Sequence, residues 1–462
     1  MKLKHLLFII LIASLSIRLI FNFSWELIPG VNGGYYPLQV RLVLETGHLG
    51  FSDMPLLFYL DAFIIKIMSL FGFAVTDQLI INVVKLVDSV SLPLLLFPLR
   101  KLMSLYQSSD FIKLSIFSFS VLSFSPLILI SDLQKNALAI VFIFGFLAYF
   151  LMFQINKSRK DFILSILFLL LTGLTHFGSF VFALFFLLIS VLYIYRKKAI
   201  LPSIMLIILS LLGILMIDSA RFSRLVTFWK QIFEKPALFT GMISLPDFIF
   251  ILFSLFVAIL GILVYRSDSK TLKIEQKAIF MASIISLLAC SFPLMDGEYF
   301  RRLSLFLFIP QVLLIVQIAS VSKAKLQKNL AVVLFVFTLL SIFAAAGQPK
   351  TPVVDKNAFA DLKKLKPMVG NDPQTIVIAR HGLEWWTAWT LHTKVGQDKA
   401  INESLFDDYQ TVIFLNQIAG FNEEHHRTPF HEPEIAPNAE MVYASEYFRA
   451  YTIAQMPSKK DH

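Results

Sequence analysis

Long apolar blocks are the main feature of the chain before residue 347. Blocks such as 133–153 and 201–217 are dominated by apolar residues and show no polar face at helical spacing. Their length matches the roughly 20 residues that a helix needs to cross a hydrocarbon core of about 30 Å. The pattern predicts about eleven membrane-spanning helices, over residues 5–22, 79–99, 112–131, 133–153, 161–177, 179–195, 201–217, 247–265, 278–294, 303–320 and 329–346.

Composition supports a membrane protein and argues against other classes. The 462 residues are 57% hydrophobic and 16% charged, whereas soluble chains carry roughly 25% charged residues. The net charge of +10 does not indicate nucleic-acid binding, because Lys and Arg lie between the apolar blocks instead of on one domain. Cys290 is the single cysteine, which excludes an intrachain disulfide and a cysteine-based metal site.

The distribution of basic residues predicts the orientation of the chain. The N-terminus resembles a signal peptide, but no small-residue cleavage site follows and Arg18 interrupts the apolar run, so we predict an uncleaved first helix. With a cytoplasmic N-terminus, every inside loop is basic, as the positive-inside rule requires. This holds if Pro55–Phe73, which carries Asp61 and Lys66, is an interfacial helix and not a span.

Several cations then lie on the outer side, where topology does not require them. They could contact lipid headgroups, or they could line an outward-facing cleft that binds an anion, for which Arg offers bidentate phosphate geometry. These residues are Arg41, Lys85, Lys135, Arg221, Arg224, Arg301 and Arg302.

The composition becomes polar from Gly347 onward, which predicts a small α/β domain over residues 347–462. Strands are expected at 375–379, 411–415, 441–444 and 448–454, with a helix after His381. Helical spacing would place His381, Glu384 and Trp385 on one face, with Trp386 and Trp389 beside them. This cluster could bind an acceptor or dock the domain on the membrane.

Two histidine patterns have an ordinary structural interpretation. His425, His426 and His431 lie in a Pro-containing segment beside acidic residues, which favours a solvated turn over a metal site. His176 lies at an outer helix end, where a hydrogen-bonded structural role is favoured over contact with a phosphate or an acceptor.

The first outer loop has the most specific pattern. It predicts a turn, a short amphipathic helix carrying Arg41 and Glu45, a stop at Gly47 and a helix that begins at Pro55. This loop resembles the first outer loop of the GT-C superfamily of polyprenyl-phosphate-dependent glycosyltransferases, such as protein O-mannosyltransferases and aminoarabinose transferases. The matching positions are Tyr35 or Tyr36, Gly47, Pro55–Tyr59, Lys85, Asp132 and the Glu298–Leu303 segment.

The resemblance implies an all-α polytopic membrane protein of the cell inner membrane with an extracytoplasmic C-terminal α/β domain. Its partners would be a polyprenyl-phosphate-linked sugar donor, membrane lipids and a glycan, lipid or protein acceptor. It implies no required cofactor and leaves a divalent metal ion open. On this hypothesis, the residues that bind the donor phosphate are Arg41, Lys85, Arg301 and Arg302. Additional candidates for the site are Tyr36, Lys135, His176 and Glu298. The acceptor would meet the cluster in the C-terminal domain, at His381, Glu384, Trp385 and Trp386.

The chain departs from the family pattern at one important position. The family's first-loop acid would fall near Asn32 or Gly33, and neither is a carboxylate. Asp53 or Asp132 could then serve as the general base, although Asp53 could equally be the N-cap of the helix that starts at Pro55.

Two other functions remain open at this stage. A polysaccharide polymerase or ligase of the O-antigen or exopolysaccharide type would share the cationic cleft. A non-catalytic membrane scaffold or transporter subunit belongs to a different class, but the chain shows no internal repeat of the transporter kind.

Overall fold

The computed structural model of the protein describes residues 3–217, 222–223, 227–228, 231–239, 245–347, 350–369, 372–397, 405–420 and 439–453. Residue contacts divide the chain into two units. Unit 1 comprises residues 1–17, 90–129 and 134–347, and unit 2 comprises residues 18–89, 130–133 and 348–462. The first predicted outer loop therefore groups with the C-terminal residues.

Helices dominate the chain before residue 348. The helical conformation pairs backbone N–H and C=O groups within each segment, as a lipid environment requires, and the apolar side chains suit that environment. The helices are α1 (Leu3–Phe23), α2 (Tyr35–Thr46), α3 (Leu56–Leu70), α4 (Asp77–Ser91), α5 (Leu96–Met103), α6 (Asp110–Leu122), α7 (Phe124–Ile128), α8 (Gln134–Asn156), α9 (Arg159–Thr175), α10 (Phe177–Tyr195), α11 (Ile200–Ile217), α12 (Leu245–Asp268), α13 (Ile274–Cys290), α14 (Gly297–Ser304), α15 (Phe308–Val321) and α16 (Ala324–Ala346).

Among the described residues, seven helices are long and apolar enough to cross a membrane, which makes the chain a multi-pass membrane protein. The number becomes eight if α14 and α15, which meet at 45°, form one broken span. The prediction of eleven spans is not confirmed. Two of the predicted spans correspond to α9 and α13, which contain only 17 residues each. Two others correspond to α10 and α11, which continue into each other through the turn Arg196–Ala199 and count as one candidate span.

The segment predicted to be the first outer loop folds as its sequence predicts. Helix α2 ends at Gly47, which has a φ of 79° and donates its N–H to the Val43 carbonyl, so glycine provides the left-handed C-cap. Helix α3 follows Pro55 and has 15 residues, or about 22 Å. It is too short to cross a bilayer, consistent with the prediction that it is not a span.

The C-terminal residues form one mixed five-stranded sheet with the strand order β2-β1-β3-β5-β4. Strand β1 pairs in parallel with β2 and β3, whereas β5 pairs antiparallel with β3 and β4. The predicted strands β1, β3, β4 and β5 are confirmed, and β2 was not predicted. The strands are β1 (Thr375–Ala379), β2 (Lys394–Gln397), β3 (Thr411–Gln417), β4 (Ala439–Ala444) and β5 (Phe448–Ile453).

Four short helices accompany this sheet, and they are α17 (Lys356–Lys364), α18 (Lys366–Val369), α19 (Leu383–Leu391) and α20 (Leu405–Asp408). Asp355 caps α17 by accepting the Ala358 N–H at 2.7 Å. Asp361 is buried in α17 and accepts hydrogen bonds from Ser445 and Tyr443. Burial raises the pKa of Asp361, but its hydrogen bonds outweigh burial and hold the pKa below the ordinary value.

Candidate functional site in unit 2

Asp132 is a partly exposed carboxylate that hydrogen-bond donors hold in one orientation. Its Oδ1 accepts the Asn32 backbone N–H at 2.7 Å and Asn32 Nδ2 at 3.1 Å. Its Oδ2 lies 3.9 Å from Lys350 Nζ, and 20% of the Asp132 side chain is exposed. Asn32 stands where the resemblance expects an acid, so this position holds an amide paired with a carboxylate instead of two carboxylates.

Gly30 packs against the Asp132 side chain and leaves no room for a larger residue at position 30. Gly30 has a φ of 91°, and a Cβ on it would lie 2.6 Å from Asp132 Cβ. The Gly30 N–H donates to the Thr351 carbonyl at 2.9 Å. The Tyr36 hydroxyl donates to the Asp132 carbonyl at 3.2 Å. Burial first, and then the charges of Asp132 and Asp53, raise the pKa of Tyr36 well above its ordinary value. Tyr36 therefore remains a hydrogen-bond donor.

Asp53, the other candidate base, is fixed by its own neighbours. Its Oδ2 accepts a hydrogen bond from the Tyr35 hydroxyl, and its Oδ1 accepts the Met54 N–H at 2.7 Å. The cap position of α3 is Pro55, and no side chain caps that helix. The interpretation of Asp53 as the N-cap is therefore wrong, because Pro55 holds the cap position of α3.

Arg41 makes structural contacts with helix α19. Its Nη1 donates to the Trp389 carbonyl at 2.7 Å and its Nη2 to the Ala388 carbonyl at 3.2 Å. The guanidinium carbon lies 4.2 Å from the centre of the Trp389 ring. Carbonyls at a helix C-terminus carry partial negative charge, so a buried cation stabilises them. The role of Arg41 in donor binding stays a prediction, but two of its nitrogens already bind carbonyls.

Lys85 has a comparable arrangement inside unit 2. Its Nζ donates to the carbonyls of Trp25 at 2.6 Å and Glu26 at 2.8 Å. Only 1% of the residue is exposed. The ammonium therefore holds the segment after α1 against α4, and a phosphate would have to displace these carbonyls.

His381 and Glu384 form a pair at the start of α19, as their spacing predicts. His381 Nδ1 lies 2.9 Å from Glu384 Oε1, and Gln397 Nε2 donates to the same oxygen at 3.2 Å. The His381 side chain is 54% exposed, whereas the Glu384 side chain is 2% exposed. A buried carboxylate thus orients an exposed imidazole.

The neighbouring tryptophans belong to the interior of unit 2. Trp386 has no exposed surface, and its ring packs edge-on against Phe359. Trp385 packs against Tyr35 and Phe51 with ring centres 4.9 and 5.2 Å apart. Neither an acceptor nor a membrane surface can reach the Trp386 ring in this structure. The predicted acceptor contact stays a prediction for His381, Glu384 and Trp385.

Unit 1 holds the remaining predicted cations. Arg302 pairs with Glu298 one turn earlier on α14, and both side chains are about two-thirds exposed or more. Arg301 and Lys135 are partly exposed. Arg221 and Arg224 lie outside the described residues, as do the histidines at 425, 426 and 431. The phosphate-binding role of the α14 arginines stays a prediction.

His176 caps helix α10 in unit 1. Its Nδ1 accepts the Ser179 N–H at 3.1 Å and lies 2.9 Å from the Ser179 hydroxyl. These bonds give His176 the predicted structural role of a helix cap, and its role as a further site contact stays a prediction.

Several polar residues of unit 2 were not predicted as site residues. Lys350 lies near Asp132, and the buried residues Arg18 and Asp88 form an ion pair at 3.0 Å. The signal for this pair was present in the sequence, because opposite charges inside two apolar segments seldom occur without a partner or a function. Lys350 had no such signal, since it lies in an ordinary polar stretch.

Asp61 is a second buried carboxylate on helix α3. It has no exposed surface, and among the described residues neither of its oxygens has a hydrogen-bond partner. Burial first, and then the charge of Asp88, raise the pKa of Asp61 well above its ordinary value. Burial therefore favours the protonated, uncharged form of Asp61.

Within the described ranges, no group of three or more His, Cys, Asp or Glu residues is arranged to hold a metal ion. Comparison of the chain with models of known protein families, and with curated proteins, found no match.

Proposed function

We propose that this protein is a membrane glycosyltransferase that moves a sugar from a polyprenyl-phosphate or polyprenyl-diphosphate donor to an acceptor on the outer face. The proposal includes an eleven-span arrangement of the GT-C kind, a cytoplasmic N-terminus and an extracytoplasmic C-terminal domain in the cell inner membrane. The observation that supports it most is the orientation of Asp132 by Asn32, with Lys350 beside its other oxygen.

In the proposed reaction, Asp132 is the general base. The acceptor oxygen forms a bond to the anomeric carbon, and the bond from that carbon to the phosphate oxygen breaks. The acceptor proton goes to Asp132 and the polyprenyl phosphate leaves with the bonding electrons. A carboxylate whose orientation is fixed can accept this proton at hydrogen-bond distance. Lys350 would stabilise negative charge that develops near the carboxylate.

The identity of the base distinguishes this proposal from the prediction based on sequence. Both Asp53 and Asp132 were candidates, and both accept hydrogen bonds in unit 2. The donors to Asp132 come from residues about 100 positions away in the chain, so the fold itself presents this carboxylate. Asp53 instead bonds to residues of its own loop. We therefore assign the base to Asp132.

The test uses the full chain reconstituted in proteoliposomes with a cell-envelope extract as the acceptor source. The probes are undecaprenyl phosphates carrying radiolabelled mannose, glucose or aminoarabinose, and loss of label from the donor is measured. Asp132→Asn should reduce turnover by about 100-fold or more. Asp53→Asn should reduce it by less than about tenfold, and Asp361→Asn is the control for a buried carboxylate outside the site.

Equal turnover for the wild type and Asp132→Asn, at equal protein amounts, would refute the proposed base. If no donor is consumed by any of these proteins, a non-catalytic scaffold becomes the better function. Consumption of a lipid-linked glycan, with no consumption of the single-sugar donors, would favour a polymerase or ligase.

A further inference from the structure

The residue before Asp132 has an unusual backbone conformation. Ser131 has a φ of 67°, and the Asp132 N–H donates to the Ile130 carbonyl at 2.8 Å. These two features describe a three-residue turn in the left-handed region, which residues other than glycine rarely adopt. A strained turn persists only when surrounding contacts hold it, and such turns concentrate at functional sites.

Asp88 and Asn22 hold this turn from one side. Asp88 Oδ2 accepts the Ser131 N–H at 3.0 Å and Asn22 Nδ2 at 2.8 Å. The Ser131 hydroxyl donates to Asn22 Oδ1 at 2.6 Å. Both the backbone and the side chain of Ser131 are therefore bound to groups on α1 and α4. The direction in which the chain enters Asp132 follows from these three hydrogen bonds.

Arg18 holds Asp88 in turn. Its Nη2 lies 3.0 Å from Asp88 Oδ1 and donates to the Asp88 carbonyl at 3.2 Å. The side chains are 1% and 0% exposed. A buried ion pair contributes little net stability compared with apolar residues of similar volume, but it can specify one geometry. The arrangement therefore suits a positioning role better than a purely stabilising one.

We propose that Asp88, held by Arg18, is a positioning residue that fixes the strained turn at Ser131 and so orients the Asp132 carboxylate toward Asn32. This inference rests on the proposed function for its catalytic meaning, but its structural part can be tested without any substrate. All the residues belong to unit 2.

The substrate-free test is a double-mutant cycle of Asp88→Asn and Ser131→Gly, read as the apparent Tm of the full chain in detergent. Ser131→Gly removes the strain of the positive φ but also the hydroxyl bond to Asn22 Oδ1, so its reference is Ser131→Ala, which loses the same bond and keeps the strain. With Asp88 present, Ser131→Gly should melt above Ser131→Ala. In the Asp88→Asn background the turn can relax, so the increase in Tm that glycine gives over alanine at position 131 should be smaller by about 2 °C or more. Additive effects of the two changes would overturn the inference.

The kinetic test follows donor turnover in the same proteins. Asp88→Asn should lower kcat by about tenfold or more with KM within about twofold, since it misplaces the base and leaves donor binding intact. Adding Ser131→Gly should restore part of kcat, because glycine makes the turn accessible again. Asp361→Asn is the matched control. A change in KM alone, or no rescue by glycine, would contradict positioning.

Asp88→Asn leaves Arg18 buried without its anionic partner, so this variant could fail to fold. The double variant Arg18→Gln with Asp88→Asn then replaces it in the cycle, because removing both charges together is better tolerated. If none of the proteins, the wild type included, consumes a donor, the proposed function fails, while the Tm cycle still decides whether Asp88 fixes the turn.

Discussion

Replacement of Arg41 by alanine should destabilise the protein, because this arginine is part of the packing between α2 and α19. Two hydrogen bonds from a charged donor contribute about 1.5–3 kcal/mol each, and a desolvated cation–π contact contributes about 2 kcal/mol. The Arg41 side chain is 6% exposed, so the free energy of removing the guanidinium from water offsets part of the stabilisation from these contacts. Removing one partner of a buried charged contact costs about 3–5 kcal/mol in comparable cases.

The free-energy change converts into a measurable shift of the melting temperature. For a folding unit of 150–250 residues, 1 kcal/mol corresponds to about 2–4 °C, so we expect Arg41→Ala to lower the apparent Tm by about 6–20 °C. Intrinsic tryptophan fluorescence is a direct probe, because the ring of Trp389 lies 4.2 Å from the arginine. Arg41→Lys keeps the charge but loses the planar contact and one hydrogen bond, so its shift should be intermediate.

Arg302→Ala is the matched control for this experiment. Its pair with Glu298 is 70% and 68% exposed, and exposed pairs contribute about 0.3–0.5 kcal/mol. Its Tm should therefore change by less than about 2 °C. If Arg41→Ala melts with the wild type and loses only donor turnover, the structural reasoning is refuted and the phosphate-binding role of Arg41 gains support.

Two carboxylates should give opposite dependences of stability on pH. Because the pKa of Asp361 is lowered in the folded state, its carboxylate adds to the free energy of unfolding above about pH 4. This contribution is lost as the pH falls through the folded-state pKa. Asp361→Asn should therefore lower the free energy of unfolding by about 1–3 kcal/mol at neutral pH, which is measured as a lower Tm. Because the pKa of Asp61 is raised in the folded state, the folded protein keeps a proton that the unfolded chain releases above about pH 4. The free energy of unfolding should therefore fall as the pH rises toward the folded-state pKa of Asp61. Asp61→Asn should remove that second dependence, and identical pH profiles of Tm for the wild type and this variant would contradict it.

The sequence determined the features that depend on neighbouring residues. Apolar blocks identified the membrane helices, because lipid requires a continuous apolar surface over the length of a span. Gly47 and Pro55 placed the end of α2 and the start of α3, since each residue restricts the local backbone. Strands β1 and β3 followed from short apolar runs bounded by turn residues. Strand β2 was missed because Lys394–Gln397 is short and partly exposed, and only pairing with β1 makes it a strand.

The roles of the charged residues were decided by contacts between distant parts of the chain. Arg41 meets carbonyls 347 and 348 positions later, and Asp132 meets Asn32 across 100 positions. A sequence pattern predicts that a cation lies on the outer side, but it does not predict whether a carbonyl or a phosphate will be the partner of that cation. That choice depends on which groups the tertiary structure buries beside it, because a buried charge must be satisfied by whatever polar atoms the fold brings within hydrogen-bond distance.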